Sequence, residues 1–244
     1  MSRIIAMWSG PRNISTAMMR SWENRPDTIV WDEPLYAAFL HRTGVDHPGR
    51  DVILKSHSNE IDYEAVASRL VDAQGSEIFY QKHIAHHLLE DMDRSWMDHP
   101  DVVHCFLIRD PREVILSLHH RFPEMTLRDT GLPQQLEIFL RRRDRSTEIP
   151  PVVDARDVLE NPRGTLEALC GRLDIPFHDA MTSWPSGPRE SDGAWADWWY
   201  DSVRASTGFA AWVPREGEVP DHLLPVLETC QSIYENLKQH RIRS

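Results

Sequence analysis

Short apolar and β-branched runs alternate along this chain with longer amphipathic stretches, a pattern that predicts buried strands separated by helices. Strands are predicted at residues 3–8, 28–32, 52–55, 77–81, 102–108 and 152–155. Helices are predicted at 15–24, 63–72, 86–94, 112–121, 132–146 and 163–173. Each strand is short enough to lie inside a parallel sheet, and right-handed crossovers then bring the strand C-terminal ends to one edge, where ligands bind. Functional side chains are therefore expected just after strands. From 179 to 220 the regularity fails, because Pro185, Gly187, Pro188, Gly193, Gly208, Pro214 and Gly217 interrupt a tryptophan-rich stretch, and a long loop or lid is expected there. Its Trp184, Trp195, Trp198, Trp199 and Trp212 either pack that loop onto the body, the favoured reading, or line a pocket. A last amphipathic helix at 221–239 should return to the core.

Composition narrows the class. With 244 residues and 41% hydrophobic content, one substantial core and a single domain are expected. A formal charge of −11 leaves no broad basic face for nucleic acid or a membrane surface, so a polyanionic ligand must meet a local cluster of cations. Cys105, Cys170 and Cys230 form no Cys-x-x-Cys pair, and no run approaches the ~20 apolar residues of a membrane span. A cytosolic protein with reduced thiols is expected. The adjacent pairs His86/His87 and His119/His120 lack metal-ligand spacing and are read as surface or packing residues, with no metal site.

The first strand runs through Trp8-Ser9-Gly10 into Pro11-Arg12-Asn13-Ile14-Ser15-Thr16, where a helix begins. Unpaired backbone N–H groups and the helix dipole there suit an anion, and Arg12, Ser15 and Thr16 can complete its shell. The bland reading is an N-cap at Ser15 or Thr16 with no ligand. A nucleoside-triphosphate loop started at Gly10 would need Gly, Lys and a hydroxyl where Ser15, Thr16 and Ala17 stand, so a phosphate bound without metal fits better.

The segment Pro-Arg-Asn-Ile-Ser-Thr-Ala-Met from Pro11 resembles the 5′-phosphosulfate loop of sulfotransferases that use 3′-phosphoadenosine 5′-phosphosulfate (PAPS), with Asn13 and Ile14 where Ser and Gly are usual. A second segment, Phe-Leu-Ile-Arg-Asp-Pro-Arg-Glu-Val-Ile-Leu-Ser from Phe106 to Ser117, resembles that family's 3′-phosphate motif. A third, running from Val153 to Pro176, resembles its scaffold, and Ser206-Thr207-Gly208-Phe209 resembles the loop that closes over the nucleotide. The resemblance implies a P-loop-like three-layer α/β/α sandwich with a central parallel sheet. It implies sulfuryl transfer from PAPS to a hydroxyl or amine of a small-molecule acceptor, with adenosine 3′,5′-bisphosphate as product and no metal required. Arg12, Asn13, Ile14, Ser15 and Thr16 would hold the 5′ end, and Arg109 and Ser117 the 3′-phosphate. Arg12 would also stabilise charge on the transferring group. Glu33, after a predicted strand, is the first choice for general base. Lys82-His83 resembles a Lys-Thr-His segment of the family with Ile84 at the histidine's place, so His83 or His86 would substitute; Lys55-Ser56-His57 is spelled more closely but lies too far upstream. A kinase with an aberrant phosphate loop and a non-catalytic nucleotide-binding protein are the alternatives.

Overall fold

A computed structural model describes residues 2–73 and 75–243. Five apolar runs form one parallel sheet: β1 (Arg3–Ser9), β2 (Thr28–Asp32), β3 (Ile78–Ile84), β4 (Val102–Ile108) and β5 (Val152–Asp154), in the order β2-β3-β1-β4-β5. In the register, Trp8 lies between His83 and Phe106. Strand alternation sends Ile4, Ala6 and Trp8 to one face and Ile5 and Met7 to the other. The elements between are α1 (Ser15–Glu23), α2 (Tyr36–Thr43), α3 (Arg50–Ser56), α4 (Tyr63–Leu70), α5 (Pro111–Leu118), α6 (Leu132–Arg145), α7 (Ala155–Glu160) and α8 (Pro162–Arg172). The short α9 (Ala196–Trp199) and α10 (Asp201–Arg204) precede the long α11 (Leu224–Lys238). On the first face α4, α6 and α11 contribute Val66, Phe139 and Leu237; on the second α1 and α8 contribute Met18, Trp22 and Leu166. The result is the expected three-layer α/β/α sandwich.

Two predicted elements are corrected. Residues 52–55 are not a strand: they lie within α3, with only Ile53 buried and Val52 53% exposed. A four-residue apolar run carries no period of its own, and the turn before it decides the outcome. Gly49 at the N-cap has φ 75, and a Cβ there would come within 2.3 Å of the Trp198 ring. The helix predicted at 86–94 is only a 3₁₀ turn, Ala85–His87, after which Leu88 turns extended at φ −80, ψ 104. That turn lets both Leu88 and Met92 reach the core without helical spacing. The strand predicted at 77–81 runs on to Ile84, and the helices α2 and α7 were unexpected.

The segment 179–220 holds α9 and α10 and a bridge between Ser183 and Gly208, and it lies across the C-terminal edge of the sheet. Its anchors are specific. Asp192 pairs with Arg20, Ser191 donates to Glu23, and the Gly193 N–H donates to Asp32 Oδ2 at 3.2 Å. Among the described residues no helix is long and apolar enough to cross a membrane.

Candidate active site

At the end of β1 the chain passes so near the turn before α6 that a Cβ on Gly10 would collide with the Thr130 carbonyl, so glycine is required there. Arg12 (φ 63) and Ile14 (φ 57) both take the left-handed conformation, on either side of Asn13. Such turns aim successive backbone N–H groups into a concavity suited to an anion. A β-branched residue in that region is strained by about 1–3 kcal/mol, which accounts for the glycine usual at the place of Ile14. The strain is held by packing: Ile14 rests on the second-face core, and the buried Asn13 donates from Nδ2 to the Leu107 carbonyl at 3.1 Å. Helix α1 then starts at Ser15 with Ile14 at the N-cap and no side-chain cap hydrogen bond. Ser15 and Thr16 are thus first-turn residues rather than caps.

The second arm comes from β4 and α5. Asp110 caps α5 by accepting from the Arg112 and Glu113 N–H groups, and Pro111 fills the first turn, where its missing N–H costs nothing. Arg109 at the strand end pairs with Glu113 and donates from Nη1 to the Arg12 carbonyl at 2.9 Å. Arg12 in turn donates from Nε to Ser117 Oγ at 2.9 Å, so the two predicted anion segments meet. Burial first, and then the charges of Arg121, Arg215 and Arg109, hold the Arg12 guanidinium below its ordinary value. Among the described residues none of Arg12, Arg121 and Arg215 is ion-paired to a carboxylate. In a chain of net charge −11, this is the local excess of cations that an anionic ligand needs.

A cavity of about 840 Å³ joins these groups to the end of β2. Its walls include residues 11–17, Arg109 and Ser117 at one end and Glu33, Lys82, His86 and His87 at the other. Glu33 (φ 45) is nearly buried, and burial outweighs the Lys82 charge to push its carboxyl up to about 7. Lys82 Nζ donates to Glu33 Oε1 at 2.6 Å, Asp32 Oδ1 at 2.9 Å and the Tyr200 hydroxyl at 2.6 Å. Burial opposes the lysine's charge, but the two carboxylates prevail and hold its pKa well above the ordinary value.

The structure separates the candidate bases. His83 alternates with Lys82 on β3 and therefore points to the opposite face, stacked on Trp8 at 4.3 Å, where burial pushes it down to about 3. It does not line the cavity. His86 does, edge-on to Phe39, with burial pushing it down to about 4. His87 is buried rather than superficial: it stacks on Tyr36 at 4.4 Å, and its Nδ1 lies 3.8 Å from Glu33 Oε2. His57 sits outside, accepting from the Ala194 N–H at 3.1 Å. The tryptophans divide, Trp184 and Trp195 buried as packing, Trp199 and Trp212 on the cavity wall. Sequence reasoning missed Arg121, Arg215, Asp32, Tyr200 and the placement of His87. Asp32 ends β2, and that position was the available signal.

A family model described as a sulfotransferase domain matches residues 2–240. Two curated relatives from Arabidopsis thaliana, branched-chain-amino-acid aminotransferase-like proteins 2 and 1, are 35% and 37% identical to this chain over 238 residues, 97% of its length. The chain spans only 42% of the length of either relative, and the names belong to those longer proteins. Among solved structures, the sulfotransferase domain from the Synechococcus PCC 7002 olefin synthase aligns with TM-score 0.52 and 18% identity, covering 93% of this chain and 94% of that one. The sulfotransferase domain from the curacin biosynthetic pathway aligns with TM-score 0.50 and 14% identity, covering 100% and 93%. Both likenesses are of fold.

Proposed function

This chain belongs to the sulfotransferase domain family, and on that premise we propose that its cavity binds PAPS and delivers the sulfuryl group to a hydroxyl or amine of a small-molecule acceptor. The observation that carries the proposal is the hydrogen bond from Arg12 to Ser117, which joins a 5′-anion loop and a 3′-anion arm on one cavity wall. A ligand with anionic groups at both ends of a nucleoside fits that layout, and the cations without carboxylate partners fit its charge.

PAPS supplies a sulfuryl group activated by its link to phosphate. The N–H groups after Pro11, with Arg12, Ser15 and Thr16, would neutralise charge that builds on the bridging oxygen as its bond to sulfur breaks. Arg109 and Ser117 would hold the 3′-phosphate. The acceptor's oxygen or nitrogen bonds to sulfur, its proton passes to Glu33, and the electron pair of the broken bond leaves with adenosine 3′,5′-bisphosphate. Glu33 suits that role because Oε2 accepts no hydrogen bond from the described residues and a pKa of about 7 lets the carboxylate gain a proton at neutral pH.

Label from [³⁵S]PAPS should pass to members of a panel of alcohols, phenols and amines in chelator-treated protein. Tight binding of adenosine 3′,5′-bisphosphate without transfer to any class would leave a nucleotide-binding protein, and a magnesium requirement for binding would favour a kinase.

A further inference from the structure

Glu33 belongs to a network in which almost every hydrogen-bonding position is filled. All three Lys82 N–H groups are used, by Asp32 Oδ1, Glu33 Oε1 and the Tyr200 hydroxyl. The Tyr200 hydroxyl donates to Asp32 Oδ2 at 2.7 Å and accepts from Trp195 Nε1 at 3.1 Å as well as from Lys82. Asp32 Oδ2 also accepts from the Gly193 N–H. Glu33 lines the cavity, and its Oε2, which accepts no hydrogen bond from the described residues, lies 3.8 Å from His87 Nδ1.

We propose that Asp32 and Tyr200 are positioning residues for Glu33, acting through Lys82: they compete for the lysine, hold Oε2 toward the acceptor, and set the carboxyl's proton affinity. The proposal deepens, and rests on, the reading of Glu33 as the base. Without Asp32, Lys82 would neutralise Glu33 alone, and a buried carboxylate beside an unshared ammonium stays ionised well below neutrality. Sharing one cation between two carboxylates leaves a net negative charge, which raises the proton affinity of the carboxyl that lacks other donors. That carboxyl is Glu33, since Asp32 has three donors and Glu33 one. The remaining groups around Glu33 carry no charge near neutral pH. Burial holds His87 on the β3 side neutral, and it keeps the hydroxyls of Tyr36 on α2 and Tyr200 protonated. Tyr200 and Gly193 both come from the segment that covers the sheet edge, so the base reaches its working state only when that segment is seated.

The test reads Glu33 directly, without turnover. In full-length protein carrying ¹³C-carboxyl glutamate, the resonance lost in Glu33→Gln is followed against pH. The wild type should titrate near neutrality. Asp32→Asn, which removes the competing charge, should move that midpoint down by about one pH unit or more. Tyr200→Phe removes the other competitor for Lys82 and should also move it down, by less because the hydroxyl carries no charge; where Asp32→Asn fails to fold, this variant decides. Once an acceptor is known, the pH profile of kcat/KM should shift in the same directions. An unchanged midpoint in the folded variants, or shifts of reversed sign, overturns the proposal. Failure of the wild type to bind adenosine 3′,5′-bisphosphate overturns the sulfotransferase reading instead, so the two failures are told apart.

Discussion

Glu33→Gln is expected to lower turnover by about 10²–10⁴-fold while leaving the affinity for adenosine 3′,5′-bisphosphate unchanged. The amide oxygen can still accept from Lys82 Nζ, so the buried ammonium keeps its set of partners and the fold is preserved. What disappears is a cavity carboxyl that burial pushes up to about 7, where it can gain a proton at neutral pH. Activity requires the deprotonated carboxylate, so wild-type kcat/KM should rise as pH increases through about 7, and the residual activity of the variant should lack that step. Steady-state rates across pH, with titration of the nucleotide, check both halves. Near-normal turnover in Glu33→Gln together with a collapse in His86→Ala would move the role to His86, the candidate histidine on the cavity wall.

Arg109→Ala should remove most of the preference for a 3′-phosphorylated nucleotide. A charge-assisted hydrogen bond to phosphate contributes roughly 1.5–3 kcal/mol, about a 10- to 150-fold change in the affinity ratio of adenosine 3′,5′-bisphosphate to AMP. Arg109 also supports the loop by donating to the Arg12 carbonyl, so AMP serves as the control. Retained AMP affinity localises the loss to the 3′ end, and a variant that still prefers the bisphosphate would place the 3′-phosphate elsewhere.

The parts of the fold that were legible are those where one local signal sufficed. β1, β2 and β4 are apolar runs bounded by polar turns, and Arg109-Asp110-Pro111 announces a strand end, a cap and a helix start in three residues. The end of β3 was hidden because Lys82 and His83 are polar and buried, which a period-two pattern of apolar residues does not reveal. With the strand ended early at Gln81, the alternation that sends Lys82 to one face and His83 to the other could not be applied. The lysine's compensation is non-local: Asp32 lies 50 residues away and Tyr200 118. The left-handed backbone at Ile14 was equally hidden, since nothing local in the sequence marks a β-branched residue for that conformation. Arg121 and Arg215 come from connections outside the resembling segments, and only the folded chain brings them to Arg12.

One calorimetric titration of the wild-type protein with adenosine 3′,5′-bisphosphate and, separately, with AMP, in chelator-containing buffer tests the assignment of this cavity most directly. Two anion-binding arms on one cavity predict that the bisphosphate binds about tenfold or more tightly, because only it engages Arg109 and Ser117 as well as the loop. Equal affinities for the two nucleotides, or no binding of either, would contradict the assignment of this cavity to PAPS.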